Sequence, residues 1–214
     1  MNTVALRELI DRAHLHETQT GQLAAALAGR LANLHRSITL PEGEGDPQGS
    51  LHRFVDAYIR QVPDVIDAAA DVAREAGIAQ QIQPVLNIAL EYFIHPPKIM
   101  EGHEGLDCLL DEAYLAHRLV EEVNDLYIRH FAQPLIPQDT TMANLIAHNL
   151  IGETFANELD EVVHHSIDQL LDDEAFEQET VQTYKERLTS PETGALWKRW
   201  PCMSRQLGIG INMA

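Results

Sequence analysis

The chain has 214 residues, 45% of them hydrophobic and 6% aromatic, which is enough material for one sizeable core. Its 33 acidic against 15 basic side chains leave a formal net charge of −18. That balance excludes the basic footprint needed to grip nucleic-acid phosphate or an anionic membrane surface.

The charge is unevenly placed. Residues 91–180 hold 20 acidic side chains and 3 basic ones (Lys98, Arg118 and Arg129), whereas residues 181–214 carry 5 basic and 2 acidic. A middle segment at −17 reads either as solvated helix faces that keep the protein soluble or as a surface that recruits a basic partner. Cys108 and Cys202 are too far apart for a Cys-x-x-Cys site, and no apolar run reaches the ~18 residues of a spanning helix. The start lacks a secretory pattern, so the expectation is a cytoplasmic protein with no membrane insertion.

Helical periodicity runs through the chain and alternating β-branched runs are absent. Leu6, Leu9, Ala13, Leu23, Leu27, Leu31 and Leu34 predict a first helix over 3–36, with Gly21 as an interruption. Residues 39–50, rich in Pro, Gly and acid, predict a mobile loop. Ser50 is placed to cap a helix carrying Leu51, Val55, Tyr58, Ile59 and Val62, and Pro63 to begin another that stops at Gly77. Pro84 opens the next, which ends at Pro96-Pro97. A helix over about 107–132 follows, then a long one from Asp139 to about Leu171 and another over about 174–188. The expected architecture is all-α: a single bundle of about seven helices over 1–189, followed by a basic, Trp-bearing tail over 190–214 that docks back on it.

Eleven histidines among many carboxylates raise the question of a helical metal site, because His and Glu three or four residues apart share a helix face. Helix phase tests the candidates. Glu161 with His164, His117 with Glu121, and Glu91 with His95 all fall far from their apolar stripes and read as solvated pairs. His16, Glu112, His130 and His148 fall on core faces instead. They are either separate core side chains with hydrogen-bond partners or, if they converge, a site for iron, manganese or zinc. Asp107 and Asp111 with the LDDEAFE stretch suggest magnesium-holding helices only faintly, since the middle segment has only three basic residues to grip diphosphate. Phosphate-binding glycine loops, nucleophile elbows and His-Glu-x-x-His are absent, so the reading leans away from an enzyme.

Tyr92-Phe93, Pro96, Ile99-Met100, then Leu106, Leu109, Leu110 and Asp111-Glu112, form a spaced pattern over residues 91–117. It resembles the short bacterial domain of unknown function typified by the YkvA-like proteins. Lys98, Glu101, Gly102, Gly105 and Cys108 depart from that pattern. The resemblance implies a bacterial helical protein and a helix–turn–helix corner, and it brings no activity with it. In the tail, Trp197 and Trp200 flank Lys198-Arg199. Trp197, Arg199 and Trp200 are the anchors expected of a recognition segment if the tail is exposed. The functional expectation is a non-enzymatic interaction or regulatory protein whose 91–180 surface binds a basic protein partner. The alternative is a helical metalloprotein, and homo-oligomerisation is left open.

Overall fold

The computed structural model describes residues 3–40, 46–76, 79–100, 105–132, 134–136 and 140–170, with single positions at 183, 186, 191 and 210–211. The described chain is an all-α bundle of seven helices, to which one two-residue strand pair is attached.

The first expected helix is two. Helix α1 spans Thr3–Thr20 and α2 spans Gln22–Leu31, because Gly21 adopts φ 61°, outside helical space. The break is held from within. Glu17, buried at the last turn of α1, accepts the amides of Leu23 at 2.8 Å and Ala24 at 3.0 Å, so a carboxylate occupies the positive start of α2. Strand β1, Ile38–Thr39, pairs antiparallel with β2, Gly210–Ile211, with Ile38 opposite Ile211. Trp197, Arg199 and Trp200 lie outside the described residues, as do the bounds of the 174–188 helix.

Helix α3 runs unbroken over Pro47–Ala76. It starts before Ser50 because Asp46 accepts the Gly49 amide at 3.0 Å and Pro47 suits a first turn. Pro63 therefore does not open a new helix; it lies inside this one. An interior proline costs about 3 kcal/mol. The stripe on both sides of it, Leu51, Tyr58, Ile59, Val62, Ile66, Ala69 and Ala73, is buried throughout and outweighs that cost. Helix α4, Ala79–Ile94, likewise starts ahead of Pro84 and ends before Pro96-Pro97 as expected. A single 3-10 turn at Lys98–Met100 follows α4, and α5 spans Leu106–Phe131. The expected 139–171 helix also divides, into α6, Thr141–Ile151, and α7, Glu153–Leu170, at Gly152 with φ 105°.

Polar contacts fix how the helices lie. Thr3 and Arg7 meet Asp67, Arg7 also meets Asp64, and Arg60 reaches Asp11. His14 Nε2 stands 2.7 Å from Asp56, and His52 stands 3.7 Å from Glu17. As one number rises the other falls, so α1 and α3 are antiparallel. Between α5 and α7 the numbers rise together, Arg118 with Asp160 and then Glu122 with His164, so those two run parallel. Helix α5 packs against each of the other six helices. Its buried residues accordingly go all the way round, from Leu106 and Leu110 to Tyr114, Ala116, His117, Leu119 and Val123. No helix of the described residues is long and apolar enough to cross a membrane.

Candidate functional site

A helix buried on every flank must still place its polar residues somewhere, and α5 gathers most of them on one stripe. Spacing of three and four residues lines up Asp107, Asp111, Tyr114, Arg118, Glu121, Glu122 and Asp125. Arg118 is the centre. Its guanidinium donates to Asp160 at 3.0 Å, to Glu121 at 2.6 Å and to Glu122. Burial works against this charge, but the hydrogen bonds to Asp160 and Glu121 outweigh it and hold the guanidinium above its ordinary pKa.

The neighbouring groups extend the network inward. Tyr114 donates to Asp160 at 3.0 Å, and Asn144 of α6 donates to Glu121 at 2.6 Å while accepting from Tyr58 of α3 at 2.6 Å. Burial pushes both phenols upward in pKa, so both stay protonated as donors. His117 lies fully inside, its Nε2 3.0 Å from the Tyr58 carbonyl oxygen and its ring centre 4.4 Å from that of Tyr58. Burial lowers its pKa to about 4, so it is a neutral donor at ordinary pH. This corrects the sequence reading, which put His117 and Glu121 toward solvent. The error lies in assuming one apolar stripe for a helix that has neighbours on all sides.

The start of α5 holds a second group. Arg30 of α2 brings Nη1 to 2.8 Å from Asp107 Oδ1. Asp111 and Glu112 are both buried, and Glu112 Oε2 has no hydrogen-bond partner. Burial, then the charge of Asp107, raises the Asp111 pKa to about 7 against the pull of Arg30. Burial, then Asp111, raises Glu112 to about 8.

Among the described residues no three His, Cys, Asp or Glu side chains come together in a way that could hold a metal ion. Glu112 is buried, as its phase predicts. His16 on α1 is half-buried, with Nε2 3.4 Å from Gln22 Oε1. His148 on α6 is half-buried, its Nε2 3.1 Å from Asn157 Oδ1 and its ring edge-on to Tyr114. His130 corrects the reading outright: it is exposed in the last turn of α5, together with Ile128 and Arg129. Glu91, His95, Glu161 and His164 are exposed as expected. The Arg118 centre follows no His/carboxylate pattern; its signal in the sequence is one arginine three and four residues ahead of Glu121 and Glu122.

At its outer edge this network becomes a surface. Glu122 and Asp160 are half-buried, Asp125, Glu158, Glu161 and Asp168 are exposed, and His164 Nε2 stands 3.9 Å from Glu122. Burial, then repulsion from Glu121 and Glu122, raises the Asp125 carboxyl above its ordinary pKa despite Arg118 and Arg129. Among the described residues, negative charge on this edge exceeds the positive charge supplied there. No protein-family model, curated protein or solved structure matches the chain.

Proposed function

We propose that this is a non-enzymatic interaction protein that engages a basic protein partner through the edge shared by α5 and α7. The observation that carries the reading is the crowding around Arg118. Glu121, Glu122 and Asp160 converge on this one guanidinium, and Asp125 next to them is held above its ordinary pKa by burial and then by repulsion from Glu121 and Glu122. A lysine or arginine from a partner would relieve that repulsion, and exposed carboxylates would steer it there. The inner half of the network is fully hydrogen-bonded and fixes the relative positions of α3, α5, α6 and α7. The edge is therefore a rigid platform, presented without ordering cost. The likeness of residues 91–117 to the YkvA-like domain belongs to the same proposal, as a corner that sets α5 against α4.

A titration with a basic helical peptide and its glutamine-substituted counterpart tests the reading. The basic peptide should bind at least about tenfold more weakly in 300 mM than in 50 mM salt. The Glu122→Gln/Asp125→Asn variant should weaken binding, whereas Asp71→Asn/Glu91→Gln, which removes equal charge elsewhere, should not. Equal loss from both variants, or equal binding of both peptides, would reject the site.

A further inference from the structure

The two buried acids at the start of α5 are not used by the edge just described, and their placement is unusual. Both residues are more than nine-tenths buried, at 8% and 7% relative exposure. Glu112 Oε2 has no partner, and an ionised carboxylate cannot be held in a core without one. The helix start itself lacks a side-chain cap. Gly105 precedes it at φ 94°, so the first amides receive no side-chain acceptor from that position. Leu106, Leu109 and Leu110 anchor it in the core, and two polar-face contacts tie it to the first two helices. Arg30 of α2 pairs with Asp107, and His16 of α1 lies over Gly105, where an added Cβ would come 3.3 Å from its ring.

We propose that the first two turns of α5 form a proton-controlled latch, closed on α1 and α2 while Asp111 and Glu112 are protonated and opened when they ionise. The groups acting on the pair are Asp107 on α5 itself and Arg30 from α2. Among the described residues, no charged group of α1, α3, α4, α6 or α7 contributes to either carboxyl. Closed, the two acids carry raised pKa values of about 7 and about 8; open, they return to the ordinary carboxylate range near 4. Opening therefore becomes more favourable as pH rises from about 4 to 8, and levels off above that once both forms are ionised. Proton release to water completes the step, with no other reactant.

Cys108 reports on the latch, since it is buried in the same first turn. With Cys202→Ser as background, the rate of maleimide labelling is measured from pH 5.5 to 8.5 and divided by that of a small thiol of known pKa. The corrected rate should rise by up to about a hundredfold per pH unit below pH 7, where opening releases two protons, by about tenfold from pH 7 to 8, and then flatten. In the Asp111→Asn/Glu112→Gln variant it should stay flat. Hydrogen exchange of the unsubstituted protein, corrected for intrinsic pH dependence, gives a second readout. Amides of residues 108–113 should lose protection over the same range while those of Leu159 and Val163 keep theirs. A corrected rate independent of pH in the parent, the same rise in the double variant, or equal loss of protection at Leu159 and Val163 would each overturn the latch.

Discussion

Asn124 holds more of the structure than its size suggests. Buried on α5, it donates to the Ile136 carbonyl at 2.6 Å and accepts the Ile136 amide at 2.8 Å, tying the segment after α5 back onto the helix. Asn124→Ala leaves both backbone groups unpaired in the core, so urea unfolding should show a loss of about 2 to 4 kcal/mol. Glu112→Gln should act in the opposite sense, and only where the acid ionises. The folded pKa lies above the unfolded one, so the parent loses stability as pH rises from about 4.5 to 8. The variant should match the parent at pH 4.5 and exceed it by about 2 to 4 kcal/mol at pH 8.5, read as a difference in urea midpoint. At this scale the sequence was informative about burial along simple stripes, placing Glu112 inward and Glu161 and His164 outward. It was misleading wherever a neighbour lay beyond the stripe, as at His117, or where packing ended, as at His130. Phase records how a residue sits on its own helix, whereas exposure depends on what the other helices place opposite it.

Elements were legible mainly from their breakers, and breakers proved unequal. Gly21 and Gly152 both end helices because each takes a positive φ, a choice that costs glycine little. Gly21→Ala meets no neighbour within 4 Å, so its cost is conformational alone. Thermal unfolding should show a loss of about 1 to 2 kcal/mol. Glu17→Ala at the same joint removes the acceptor for two amides at the start of α2 and should cost a similar amount, about 0.5 to 2 kcal/mol. Pro63 and Pro84 both read as helix starts in the sequence, but both lie inside helices. A proline sets a local cost, and a buried apolar stripe on both sides can exceed it. Only the tertiary packing reveals which of the two is larger.

For the molecule as a whole, the excess of carboxylates is a self-repulsion that a short-range count of ion pairs misses. Most pairs along the α1–α3 seam are exposed and contribute little individually. Sodium chloride at 0.5 M should therefore raise the Tm at pH 8 relative to 20 mM, because it screens long-range repulsion more than it weakens these pairs. An unchanged or lowered Tm would mean that the pairs dominate. The all-α class was legible from periodicity, but the centrality of α5 was not, since every helix carries an apolar face and nothing in that face names its partner.

That centrality has a consequence for how the protein is made. Helices α1 to α4 bury side chains such as Ile10, Phe54, Tyr58 and Phe93 in a core that α5 completes. On the ribosome these four helices exist before α5 does. At about 5 to 20 residues per second, the nearly forty residues from the end of α4 to the end of α5 take roughly 2 to 8 seconds to add. For that interval the emerging helices lack the central helix against which their apolar faces pack in the finished bundle.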